Sequence, residues 1–289
     1  MVLTAGSFIL LFSITLAGSF LASMVGIGGG VLFVPILVAF FGLDVPEART
    51  ISLFCMIFVT LSATIGYFRH NVIDWKLGLI YDIFAIPGVL LGKWIADILY
   101  EIIRLIVVVV ALWTLASLIL IRKTKKGVDD KDHSIVKVSF MDEEHHIQLS
   151  QSKKWVFSLI SSFFGGFVTG CVGMGGGTVY TSTMILLGLT PLISVATAEF
   201  SMIFTNTFGF FSAAIFPLIP WDFPGFGTET APILWNFILP MGIASLIGAF
   251  AGTILSRRVK GGVLKKMLAI IAILMGIPII LEILGLWNF

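Results

Sequence analysis

The sequence predicts an all-α polytopic membrane protein made of two inverted-topology repeats of about five helical segments each, with short or broken helices at a glycine-rich motif. Three observations carry this prediction. Of 289 residues, 58% are apolar and 12% charged, and mean hydropathy is +1.07. A soluble domain carries about twice that charge fraction and needs it to cover a water-facing surface. The charge is also unevenly spread, since 14 of the 34 charged residues (18 basic, 16 acidic) lie between Arg122 and Lys154. Finally, the hexapeptide Val25-Gly26-Ile27-Gly28-Gly29-Gly30 returns 147 residues later as Val172-Gly173-Met174-Gly175-Gly176-Gly177, which marks an internal repeat.

Taken in order, residues 1–121 form the first transmembrane repeat, 122–154 a charged cytoplasmic linker and 155–289 the second repeat. The N-terminus lacks the basic region of a secretory signal and reads as mature protein. Ser7 to Val25, Thr50 to Phe68, Leu105 to Ile121, Trp155 to Val172 and Ala231 to Ser256 are charge-free windows near the ~20 residues a helix needs to cross a bilayer. Leu77 to Gly92 reads as a span interrupted by Asp82 and ending at Lys93, Ile193 to Ile215 as a span holding Glu199, and Met267 to Leu286 as the last span. Gly30 to Leu43 and Gly177 to Leu189 reach only about 20 Å as helices, too short for ordinary spans. The repeat continues through each half: Met56-Ile57-Phe58 matches Met202-Ile203-Phe204, and Gly88-xxx-Gly92 answers Gly248-xxx-Gly252.

Loop charges set the orientation, because cytoplasmic loops carry the Lys and Arg excess. With the linker inside, 15 basic residues fall inside and 3 outside, the outer set being Arg49, Lys93 and Arg104. An odd number of segments per half inserts the two copies from opposite faces, the duplication used by secondary transporters. Both termini then lie outside the cell membrane. Trp75, Trp94, Trp155, Trp221, Trp235 and Trp287 fall near segment ends, as an interfacial belt requires.

The glycines offer chemistry. A GxGGG break followed by a helix start leaves backbone N–H groups without partners at the positive end of the macrodipole, which suits an anion. Two such ends approaching from opposite sides can cradle one ligand, although glycines also serve tight helix packing, the expected role of the GxxxG pairs. The binding candidates are therefore Gly26, Gly28, Gly29, Gly30, Gly173, Gly175, Gly176 and Gly177, joined by Thr178, Ser201, Thr205 and Asn206, whose hydroxyls and amide can donate to an oxyanion.

With GIGGGVLFVP at Gly26 to Pro35 and GMGGGTVYTS at Gly173 to Ser182, two duplicated halves and a charged linker, the chain resembles the sulfite exporter TauE/SafE family along essentially its whole length. That resemblance implies a transporter, often an exporter, of sulfite, sulfonates or related organic anions. The second copy has Ser182 where the first has Pro35.

Intramembrane charges are costly and so are candidates for function. Glu199 aligns with the apolar Leu53 of the other half. It reads as a proton-coupling site, as a partner for Arg49 or Lys93, or as a snorkelling interfacial acid. Asp82 and Asp97 read as segment-end acids, Arg49 as a helix-end anchor and Cys171 as a packing residue. Two cysteines exclude a disulfide framework, the four histidines have no metal-ligand spacing, and no cofactor or metal is expected. A net charge of +2 gives no reason to expect nucleic acid. The expected partners are a small anion, the bilayer and protons as coupling ion. An anion channel is the alternative, an intramembrane enzyme a weaker one for want of a nucleophile and base, and an ATP-driven pump is excluded because GxxxxGK[ST] is absent.

Overall fold

A computed structural model describes residues 5–98, 151–214 and 234–256, with scattered positions between 106 and 113 and between 258 and 281. Residues 122–150 of the linker, both chain ends and most of the expected spans at 105–121 and 267–286 lie outside the described residues, while the linker's last four residues, 151–154, belong to a helix. The described part contains helices α1 (Ala5–Val25), α2 (Gly30–Phe41), α3 (Val45–Phe68), α4 (Trp75–Ile98), α5 (Gln151–Val172), α6 (Gly177–Leu186), α7 (Pro191–Ala214) and α8 (Trp235–Ser256), and no strand. In α1, α3, α4, α5 and α8, stretches of 18 to 24 residues are long and apolar enough to cross a membrane. α2 and α6, with 12 and 10 residues, are not. In lipid every backbone polar group must be satisfied within the element, so apolar segments of this length become helices.

Several boundaries differ from expectation by a few residues, the helix expected from Trp155 starting at Gln151 for example, and two of the shifts move charged residues. The third segment starts at Val45 rather than Thr50, because Pro46 sits in its first turn, where its fixed φ and missing N–H suit a helix start. The fourth runs unbroken through Asp82 and past Lys93 to Ile98. Arg49 and Lys93, taken as outer loop charges, therefore sit inside helices, each 2% exposed. They gather around Asp97: Lys93 pairs with it one turn away and Arg49 Nη2 lies 4.0 Å from it. Burial in apolar surroundings is tolerable for such groups only when they are paired.

The helices are inside-out relative to a soluble bundle. In α1 the buried positions include Thr15, Gly18, Ser19, Ala22 and Ser23, at helical spacing, while Phe8, Ile9 and Leu10 point outward. Small inward residues let backbones approach, the usual basis of helix association in lipid. Gly88 and Gly92 of α4 lie on the Phe163 and Phe167 carbonyls of α5, and Gly166 and Gly170 of α5 lie on those of Ala85 and Val89. α1 and α8 meet in the same way: Gly248 and Gly252 sit on the Leu16 and Phe20 carbonyls, and Ser23 Oγ donates to Ala249 O at 2.9 Å.

Partner numbering gives the helix directions. Ala85–Gly166 and Val89–Gly170 make α4 and α5 parallel, and the bonds Ser201 to Gly78 O and Thr205 to Asp82 make α4 and α7 parallel. Ser19–Ser245 and Ser23–Ala249 make α1 and α8 parallel, and Ser62 to Leu246 O with Tyr67 to Ser256 aligns α3 with α8. By contrast α3 and α7 run antiparallel, since Phe54 meets Phe210 at a tilt with ring centroids 5.1 Å apart while Tyr67 shares a buried cluster with Val195, Ala196 and Phe200. α1, α3 and α8 thus run one way and α4, α5 and α7 the other.

Candidate functional site

Both motifs are loops joining a long helix to a short one, and their backbone dictates glycine. Gly26, Gly28, Gly173 and Gly175 have φ between +72° and +77°, a region where a Cβ collides with the following carbonyl. Gly29 shares it at +93° while its counterpart Gly176 does not, at −77°. The loops sit against each other. A Cβ on Gly30 would fall 2.7 Å from Gly173 O, and one on Gly177 would fall 2.6 Å from Gly26 O. Each carbonyl also accepts a hydroxyl from the opposite half: Thr181 Oγ1 donates to Gly26 O at 2.8 Å, and Ser52 Oγ to Gly173 O at 3.1 Å. Backbone bonding begins at Leu32 in α2, through Gly29 O, and at Tyr180 in α6, through Gly176 O. The N–H groups of Gly30 and Val31, and of Gly177 and Thr178, therefore remain at the helix ends as the first-turn rule demands.

Met56 and Met202, both fully buried, fill the space between the loops. A Cβ on Gly28 would meet Met202 Sδ at 2.8 Å, and one on Gly175 would meet Met56 Sδ at 3.0 Å. The two methionines lie at matching positions, yet composition gave no sign of their role, because a methionine in an apolar helix reads as core. Their pairing in the repeated Met-Ile-Phe tripeptide was the available signal. Thioether side chains with three rotatable bonds can fill such a gap and also leave it.

The polar candidates divide. Asn206 is fully buried, neither side-chain atom has a hydrogen-bond partner, and Oδ1 lies 3.7 Å from the Cβ position of Gly175. It is aimed at the loops. Glu199 is fully buried with both carboxylate oxygens unpartnered, and the polar group facing it is the backbone N–H of Gly28. It takes no place in the Arg49–Lys93–Asp97 group, which answers the question of whether it serves as their counter-charge. Thr178 is buried at the α6 start. Ser201 and Thr205 are committed elsewhere: their hydroxyls donate to Gly78 O at 3.0 Å and to Asp82 Oδ1 at 3.1 Å, both on α4. Proximity in sequence to Asn206 had grouped them with the loops, but Asn206 follows Thr205 by one residue, about 100° around the helix, and so points to a different side. Cys171 Sγ donates to Gly92 O at 3.1 Å, consistent with packing. Asp82, read as a segment-end acid, is 4% exposed and well inside α4. Among the described residues no group of three or more His, Cys, Asp or Glu could hold a metal ion.

The sequence model of the family described as Sulfite exporter TauE/SafE matches residues 10–279. Among characterised sequences the chain is similar to the "Probable membrane transporter protein YunE" of Bacillus subtilis (strain 168), 26% identical over 284 residues, which covers 96% of this chain and 98% of that protein. No solved structure matches. An all-helical chain with membrane-length helices, two apposed glycine loops and a family match along nearly its whole length is a multi-pass membrane transporter, and it belongs to the sulfite exporter TauE/SafE family.

Proposed function

We propose that the protein is a secondary transporter that exports a small sulfur-containing or organic anion, such as sulfite or a sulfonate, across the cell membrane. The anion is held between the starts of α2 and α6 and is exposed to alternate sides as the two halves move. The observation that carries this reading is the reciprocal apposition of two helix N-termini from the two halves, each opened by glycines that admit no side chain. Unbonded N–H groups and aligned dipoles favour negative charge at both ends, and Asn206 adds a buried amide without a protein partner, its Oδ1 3.7 Å from the Cβ position of Gly175.

The opposed helix directions favour an inverted duplication, with the site near the middle of the bilayer where such folds bind substrate. The 15-to-3 basic bias favours a cytoplasmic linker and outward termini. Removing Arg49 and Lys93 from the outer set strengthens it. A membrane potential negative inside drives anions outward, about 2.3 kcal/mol per charge per 100 mV, so export needs no coupled ion. Glu199, facing the first loop, gives the protein the means to couple a proton as well.

The test is purified protein in a thermal-shift screen against sulfite, sulfoacetate, thiosulfate, sulfate and carboxylate analogues, followed by flux in proteoliposomes. A binder of the native state raises apparent stability, by about 2.7 kcal/mol at 100 times its Kd. Saturable flux accelerated by anion on the far side is expected. Flux that rises linearly with concentration, without trans-stimulation, would make the protein a channel.

A further inference from the structure

The second intramembrane carboxylate is Asp82. It is the eighth residue of α4 and is 4% exposed, with Oδ2 lacking any hydrogen-bond partner. Its other oxygen accepts from Thr205 Oγ1 at 3.1 Å, and the Tyr180 hydroxyl lies 3.5 Å from the same Oγ1. Tyr180 in turn reaches the second glycine loop, because a Cβ on Gly176 would meet its hydroxyl at 2.8 Å. A continuous line of polar groups thus runs from a buried acid to the start of α6. The corresponding position in the second half, from the Gly88–Gly248 match, is Gly242, which packs on Phe58. Packing alone therefore does not require an acid there.

Glu199 bears on the first loop through Gly28, and Asp82 bears on the second through Thr205 and Tyr180, so each loop has one carboxylate. We propose that Asp82 is a second proton-exchanging group of the transporter, and that its charge governs anion binding at the second glycine loop. This rests on the anion-site reading above. An ionised carboxylate joined to the α6 end through Thr205 and Tyr180 opposes an anion drawn to that positive dipole end. Once Oδ2 gains a proton from the aqueous side, the competition ends, and anion and proton enter together. On anion release the O–H bond breaks and the proton returns to water, so the group ends each cycle unchanged.

The titratable groups around Asp82 are few. Its own helix supplies Tyr81, whose ring meets Tyr180 edge-on at 5.4 Å. α6 supplies Tyr180, and α7 supplies Glu199, six residues before Thr205. α5 presents Ser158 and Ser162, which carry no charge. Lys76, exposed, and Lys93, paired with Asp97, lie about two and three turns away along α4.

Proton uptake per bound anion tests the role directly. Sulfoacetate, ionised throughout pH 6 to 8.5, is titrated calorimetrically into purified protein in buffers of different ionisation enthalpy. Wild type, Asp82→Asn, Glu199→Gln and the double variant are compared. The expected result is about one proton fewer per anion for Asp82→Asn than for wild type, with binding at the high-pH end about tenfold tighter and less dependent on pH. The double variant should take up none. Thr205→Val, which breaks the line while keeping the acid, should also lower the count and serves if Asp82→Asn fails to fold. An unchanged count in either variant, with binding intact, overturns the role of Asp82 and leaves the anion site standing. No sulfoacetate binding by the folded wild type at any pH overturns this assignment together with the reading beneath it.

Discussion

Replacing Gly28 with alanine tests whether the two loops meet as described. The added methyl faces two separate penalties. At φ +72° a Cβ crowds its own carbonyl, which costs about 1–2 kcal/mol. It also falls 2.8 Å from Met202 Sδ, so the thioether must move, an overpacking cost of about 1–3 kcal/mol. Gly42 separates these terms, because it has φ +60° but nothing within 4 Å of its Cβ position. Gly42→Ala should therefore lose only about 1–2 kcal/mol and keep anion binding. Gly28→Ala should lose about 2–5 kcal/mol in all and bind anion poorly. Shortening the obstacle should restore part of the loss. Met202→Ala alone leaves a cavity and costs about 2–5 kcal/mol, but combined with Gly28→Ala it should be less destabilising than the sum of the two by about 1–2 kcal/mol. Unfolding of the four purified variants in detergent, followed by intrinsic fluorescence, measures this cycle. Strict additivity, or equal losses at Gly28 and Gly42, would refute the contact between the first loop and Met202.

Three further outcomes are expected. Asn206→Ala should weaken anion binding about tenfold in calorimetry without loss of stability, because removing an amide that has no protein partner relieves its desolvation cost and offsets the space left behind; a stability loss without an affinity change would make it a packing residue. Glu199→Gln should retain binding while flattening the dependence of proteoliposome flux on pH, and an unaltered flux profile removes the coupling role. Single cysteines placed at positions 126, 222 and 260, all outside the described residues, should be labelled from outside intact cells only at 222, and labelling at 260 would contradict the inverted arrangement.

Much of the scaffold was legible because lipid allows few solutions. Length and apolarity fixed the helices, and the repeated glycine hexapeptide marked where two of them are cut short. The helix starts at Gly30 and Gly177 follow directly from those motifs. What could not be read was which side of a helix each polar residue faces once packed. Ser201, Thr205 and Asn206 lie within six residues, yet only Asn206 turns to the loops while the others bond α4. Charge pairing was hidden for the same reason. Arg49 and Asp97 are 48 residues apart in sequence and meet only because α3 and α4 fold back together. Met56 and Met202 were visible as a repeat match but not as contacts, because each packs against a glycine of the opposite half, a property of two halves rather than of either.

The positions where the halves agree differ in kind from those where they disagree, and the difference guides where chemistry should be sought. Gly26 with Gly173 and Gly30 with Gly177 are matched and explained by contact, since a side chain there would strike atoms of the opposite half, and the matched Met56 and Met202 pack against these loops. Steric need is enough to account for them. Glu199 stands opposite Leu53, Asn206 opposite Thr60 and Asp82 opposite Gly242, and no packing requirement accounts for any of the three. A buried carboxylate with unpartnered oxygens, or an amide with none of its bonds made, costs on the order of 1–3 kcal/mol per group. A fold that needed only stability would do better with the apolar or hydroxyl residue its other half already uses. In the proposed transporter the motif glycines are therefore the place to look for the anion, and the unmatched acids and amide are the positions where a response to protons is to be sought.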